Sequence, residues 1–138
     1  MKYIFKLCLP VFMVFSLISC NDRLEGDEIV NTDPVKIDSV KIAQDTMDLY
    51  TTQTIKTYSN FSAQCEGFYG YDYQHKAPLE RQVISYKFKS SSGCGELVTK
   101  ASQINFRPQA TGTYLFKFWT GKDAAGANTW IERTIVVE

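Results

Sequence analysis

Gly112-Thr113-Tyr114-Leu115-Phe116-Lys117-Phe118-Trp119, then a loop from Gly121 to Asn128, then Thr129-Trp130-Ile131-Glu132 decides the fold class. Tyr114, Phe116 and Phe118 fall on one face of an extended chain, and Leu115, Lys117 and Trp119 on the other. Alternation with a period of two marks a strand that buries one face. The run from Thr129 to Glu138 keeps Ile131, Ile135 and Val137 in one phase. Two such runs joined by Gly, Asp and Asn residues form a hairpin.

Working back toward the N-terminus, the same grammar recurs and no amphipathic helix emerges. Glu96 to Phe106 holds Ile104 and Phe106 in phase, and Pro108 ends it. Ser90-Ser91-Ser92-Gly93-Cys94-Gly95 reads as a loop. Gln82 to Lys89 alternates, with Ile84, Tyr86 and Phe88 facing one way and Ser85, Lys87 and Lys89 the other. Phe68 to Gln74 precedes a turn at Ala77-Pro78, and Thr51 to Cys65 places Ile55, Phe61, Ala63 and Cys65 in one parity. In Val35 to Ile42 the apolar parity changes halfway: Val35 and Ile37, then Val40 and Ile42. That change predicts a bulge, a kink or a switch between sheets. About seven strands in residues 35–138 predict an all-β sandwich.

The C-terminal hairpin resembles the last hairpin of immunoglobulin-like domains in Gram-negative lipoproteins, over Thr111 to Glu138. Gly112-Thr113-Tyr114 is similar to the tyrosine corner, whose phenol bonds back to nearby backbone. The resemblance implies an immunoglobulin-like β-sandwich and a location, and no activity, since this fold hosts many functions. It departs from antibody domains because both tryptophans follow Cys94, which leaves no Cys-Trp-Cys pattern. Cys65 and Cys94 sit at strand ends or in loops, so a bridge between them is expected to join loops and not the two sheets.

The first twenty residues carry a different message. Lys2 and Lys6 precede an apolar run from Leu7 to Ile18, the pattern of a secretory signal. The run is shorter than the roughly 20 apolar residues of a membrane span. Leu17-Ile18-Ser19-Cys20 resembles a bacterial lipobox, which implies cleavage before Cys20 and lipid on its thiol. Residues 1–19 are therefore expected to be a signal peptide, and residues 20–34 a lipidated cysteine with a flexible tether. Asp22, Glu25, Asp27, Glu28 and Asp33 face only Arg23 in that tether. It resembles the acidic runs that send some Gram-negative lipoproteins to the outer face of the outer membrane. The expectation is a lipid-anchored, surface-displayed protein, with the periplasmic face as the alternative.

The remaining chemistry is sparse. The 138 residues carry 15 basic and 15 acidic side chains and one histidine, His75. No basic footprint for nucleic acid is present, and no cofactor or metal motif. Cys8 would leave with the signal and Cys20 carry lipid. Cys65 and Cys94 then remain in a compartment where disulfides persist. They most simply pair with each other, against two separate thiols or an intermolecular bridge. Their spacing with His75 matches no zinc pattern. Asp123 to Asn128 lacks the alternating oxygen ligands of a calcium loop. Asp38-Ser39-Val40 and Asp45-Thr46-Met47 resemble O-glycosylation triplets of some Gram-negative bacteria, making Ser39 and Thr46 candidate sites.

The most unusual stretch is Phe68-Tyr69-Gly70-Tyr71-Asp72-Tyr73. On a regular strand Tyr69, Tyr71 and Tyr73 share one face, opposite Phe68, Gly70 and Asp72. The tyrosines then either pack in the core or form a strip for ligand, with Asp72 and His75 as polar contacts. His75 reads as a surface histidine, and no catalytic residue is expected. Two functions remain: an envelope binding or adhesion module for a glycan or protein, or a non-catalytic structural subunit of a surface assembly.

Overall fold

The computed structural model describes residues 29–62, 65–91 and 95–138. Cys20 and Cys94 lie outside the described residues, as do the signal and most of the expected tether. The described chain is all-β. Its strands are β1 (Ile29–Val35), β2 (Ser39–Ile42), β3 (Thr46–Met47), β4 (Gln53–Ser62), β5 (Glu66–Ala77), β6 (Glu80–Ser90), β7 (Leu97–Phe106), β8 (Gly112–Lys122) and β9 (Asn128–Val137). They form two sheets. The larger runs β1-β6-β8-β9-β3 with β5 also on β6, and the smaller runs β2-β4-β7.

The parity change in Val35 to Ile42 is a switch between these sheets. β1 pairs with β6 in the larger sheet and β2 with β4 in the smaller. The crossing takes two successive residues. The Ile37 amide donates to the Trp119 carbonyl of the larger sheet, and the Asp38 amide to the Tyr58 carbonyl of the smaller. Val35 and Ile37 stay buried on the way, while Val40 and Ile42 pack on the core from the other parity. This split, with the two-residue β3, raises the seven strands expected to nine among the described residues. Residues 29–34, expected in the tether, belong to β1, whose side chains are exposed apart from Val35. A strand that buries almost nothing carries no apolar pattern to betray it.

Strand β6 is the hub. β5 runs antiparallel along one edge from Glu66↔Lys89 to Ala77↔Glu80. The other edge is divided: Glu80–Val83 pair in parallel with Leu115–Phe118 of β8, and Val35 to Ile29 pair antiparallel with Ser85 to Ser90. The parallel ladder starts where the Leu115 amide donates to the Leu79 carbonyl. Gly112 stands beside that junction with φ +131°, and a Cβ there would lie 2.8 Å from Leu79 Cδ1. Only glycine meets both conditions without strain.

The core fills the space between the sheets. Ile37, Ile55, Val83, Phe116, Phe118 and Ile135 are fully buried. Phe106 meets Phe116 edge-on with ring centroids 4.9 Å apart, and Tyr114 at 5.0 Å. Tyr114, Phe116 and Phe118 thus turn inward as their alternation predicts, and the Tyr114 hydroxyl donates to the Ala110 carbonyl at 3.1 Å.

Two details of the faces differ from simple alternation. In β6 the buried parity is Arg81, Val83 and Ser85, so Ile84, Tyr86 and Phe88 lie half-buried on the outer side. In β5 the register slips between Phe68, opposite Lys87, and Gly70, opposite Tyr86. Tyr69 is the extra residue of a bulge. Phe68 consequently shares the inner face with Tyr71, their rings 4.7 Å apart, and Tyr69 turns out to solvent. The three tyrosines do not share a face, because a bulge reverses the parity of everything before it.

Candidate functional site

β5 ends the larger sheet and β7 ends the smaller, and residues of both strands line one cleft of about 420 Å3. Tyr71, Tyr73 and His75 of β5 form one wall, and Gln103 to Phe106 of β7 the other. Arg81 of β6 and the turn Arg107-Pro108-Gln109 complete it. The side chains that line it include no carboxylate.

Tyr71 holds the cleft together. Its hydroxyl lies 2.7 Å from Thr57 Oγ1 on β4 and also hydrogen-bonds Ser102 on β7. Burial pushes its phenol above the ordinary tyrosine range, and those two hydrogen bonds only partly offset it. Thr57 is almost wholly buried, so the pair satisfies a polar group inside the sandwich. Tyr73 is also raised by burial, with the charge and hydrogen bonding of Arg81 opposing the shift. The His75 ring meets Tyr73 edge-on at 5.5 Å.

Arg81 is held rigidly although it is only 7% exposed. Its Nη1 donates to the carbonyls of Ala77, Pro78 and Glu80, each at 3.0 Å, so the guanidinium ties off the β5–β6 turn. The same group lies over the Tyr114 ring, 5.1 Å from its centroid, in cation–π geometry. Its Nε is buried without a hydrogen-bond partner. A fixed cation beside two phenols and an imidazole gives the cleft a positive, aromatic character.

The structure therefore brings together Tyr71, Tyr73 and His75 from the residues expected, and leaves two out. Tyr69 is 59% exposed at its bulge and does not line the cleft. Asp72 pairs with Ile84 on the outer parity and accepts a hydrogen bond from Gln74 Nε2. Arg81, Gln103, Asn105, Arg107 and Gln109 were not foreseen. Arg81 would have been found had Val83 been taken as the core position of β6, since it lies two residues away.

The other candidates are plainly placed. Ser39 and Thr46 are exposed in β2 and β3. In the Asp123–Asn128 loop, Asp123 Oδ1 accepts the amides of Ala125 and Ala127, and Asn128 Oδ1 accepts Trp119 Nε1. Those oxygens close the hairpin. Among the described residues no cluster of three His, Cys, Asp or Glu side chains could hold a metal, and no helix is long and apolar enough to cross a membrane. Cys65 is fully buried, and its carbonyl accepts the Ser90 amide at 2.7 Å. No protein-family model, curated protein or solved structure matches the chain.

Proposed function

We propose that the chain is a lipid-anchored, immunoglobulin-like binding module of the bacterial cell envelope, displayed at the outer membrane. A glycan or protein ligand is taken in the cleft between β5 and β7. The observation that carries this reading is the convergence of Tyr71, Tyr73, His75 and Arg81 on one cleft. Its volume falls within the roughly 300–1,000 Å3 of small-ligand sites, and aromatic walls with a few placed polar groups are their usual lining. Nothing in the cleft pairs a nucleophile with a base, and the reading is non-enzymatic.

The immunoglobulin-like description is supported by the β8–β9 hairpin, by the Tyr114–Ala110 hydrogen bond and by the β2-β4-β7 sheet. The parallel pairing of β6 with β8 departs from it, since the sheets of that fold are antiparallel. The anchor rests on the lipobox at Leu17-Ile18-Ser19-Cys20. Cys20→Ala should abolish lipid labelling and release the protein from membranes. Membrane retention of the unlabelled variant would reject the anchor.

The ligand reading is tested with the full-length protein in detergent, screened on a glycan panel and in pull-downs from envelope extract. Tyr73→Ala should weaken whatever interaction is found by at least about tenfold, the equivalent of ~1.4 kcal/mol. Binding that survives this change would place the ligand elsewhere. The second reading, a structural subunit, draws on the half-buried Ile84, Tyr86 and Phe88 of β6 and on Trp119 opposite Trp130, all on the outer side of the larger sheet. It predicts a stable stoichiometric assembly that survives Tyr73→Ala.

A further inference from the structure

We infer that the outer face of the smaller sheet is a second binding surface, specific for an anionic polysaccharide bearing carboxylate or sulfate groups. The inference does not rest on the cleft. Its basis is a segregation of charge between the two sheets. β2, β4 and β7 contain no aspartate or glutamate at all, yet their outer parity carries Lys41 and Lys56; Lys100, opposite the buried Ser59, lies on the other parity. The larger sheet mixes both signs, and its ion pairs are internal: Lys87 with Glu66 at 2.7 Å, and Lys117 with Glu80 at 3.1 Å and Glu132 at 3.9 Å. Among the described residues no such partner stands beside Lys41 or Lys56.

The register makes the point sharper. Lys41 lies directly opposite Lys56 across the β2–β4 pair, on the exposed side. Directly opposed like charges destabilise a strand pair unless something neutralises them. They border a cavity of about 500 Å3 whose lining includes Gln44, Thr52, Thr54 and Tyr58, again without a carboxylate. The acids nearest in sequence, Asp38, Asp45, Asp48 and Glu96, lie outside these strands and do not line that cavity. On the other side of Lys56 the row ends at Gln103 and Asn105 of β7, which belong to the border of the cleft and not to this cavity; Asn105 Oδ1 accepts the Thr54 hydroxyl. Two ammonium groups can neutralise an acidic substituent. The flanking hydroxyls and amides can both donate to and accept from sugar hydroxyls. A polysaccharide suits this lining better than a nucleic acid, which would demand more cations along its backbone.

The test uses the full-length protein in detergent, with polygalacturonate, dextran sulfate, neutral dextran and double-stranded DNA as probes in affinity electrophoresis. Retardation by either acidic polysaccharide and not by neutral dextran is expected. Which of the two acts assigns the group as carboxylate or sulfate. The Lys41→Gln/Lys56→Gln double variant should lose at least about tenfold in affinity while its melting temperature stays level or rises, because a repulsive pair has been removed. Lys87→Gln and Tyr73→Ala should leave the retardation unchanged, which separates this surface from general basic charge and from the cleft. Undiminished retardation of the double variant would overturn the inference. So would DNA binding as tight as that of the polysaccharides, or retardation by neither acidic probe.

Discussion

The Tyr71 hydroxyl joins three strands from two sheets, through Thr57 on β4 and Ser102 on β7. Removing it should be felt as stability. Tyr71→Phe leaves the buried Thr57 hydroxyl short of a partner, at a cost of about 1–3 kcal/mol in chemical denaturation. The same residue sets an alkaline limit. The folded-state pKa values of Tyr71 and Tyr73 are raised by burial, so the folded protein holds their protons more tightly than the unfolded chain. Their contribution is complete below the unfolded tyrosine pKa of about 10 and is lost as pH climbs from there through the folded values. Stability should therefore fall above about pH 10, and less steeply in Tyr71→Phe and Tyr73→Phe, as urea melts at pH 9 and pH 11 would show. Gly112 is the backbone counterpart. Alanine there must hold φ near +131° and displace Leu79, so Gly112→Ala should destabilise by about 1–3 kcal/mol. An unchanged denaturation midpoint would mean that the junction relaxes freely.

β5 shows what a strand pattern conveys and what it hides. Its one extra residue, Tyr69, sends Tyr69 outward and keeps Phe68, Tyr71 and Tyr73 toward the sheet opposite. Tyr69→Ala should thus change stability by less than about 0.5 kcal/mol, as at ordinary surface sites. Tyr71→Ala should cost about 2–3 kcal/mol, below the range for a fully buried aromatic because the residue is only partly buried. Equal effects of the two changes in thermal melts would refute the bulge. The alternation in β8 and β9 was legible because their register is continuous from Gly112↔Val137 to Trp119↔Trp130, slips only beyond Trp119, and buries one clear apolar set. In β6 the alternation was equally clear and yet did not tell which side turns in. Ile84, Tyr86 and Phe88 look like the core set, but the inner parity holds Val83 between Arg81, which lines the cleft and pairs with Phe116 in the parallel junction, and Ser85, which pairs with Tyr71 and Val35. The cleft itself was half legible. Tyr71, Tyr73 and His75 stand out in composition, whereas Arg81 and Gln103 to Gln109 join them only through the pairing of two distant strand edges. No local pattern encodes that proximity.

For the whole molecule, the question is how two sheets stay closed when β5 and β7 leave one side open to a cleft. Part of the answer is the shared aromatic core and part is the Ile37–Asp38 crossing, which ties both sheets through successive amides. A disulfide between Cys65 and Cys94 would supply the rest. Cys65 is fully buried between β4 and β5, and its carbonyl receives the amide of Ser90, the last residue of β6. Cys94 follows four residues later in the chain, within the loop that leads from β6 to β7. A bridge there would fasten the β4–β5 connection of one crossing to the β6–β7 connection of the next, at the end of the sandwich remote from the β5–β6 turn. It would close a loop of about 30 residues, for which the chain-entropy model gives roughly 3–4 kcal/mol. The secreted location proposed for the protein allows it to persist. Reductant should accordingly lower the unfolding free energy by about 3–4 kcal/mol less any native strain, and Cys65→Ala/Cys94→Ala should be as unstable without reductant as the reduced parent is with it. Alkylation of both thiols in the native, oxidised protein would exclude the bridge. Stability unchanged by reductant, with the thiols blocked from alkylation beforehand and released after, would show instead that the bridge forms but constrains little of the unfolded chain.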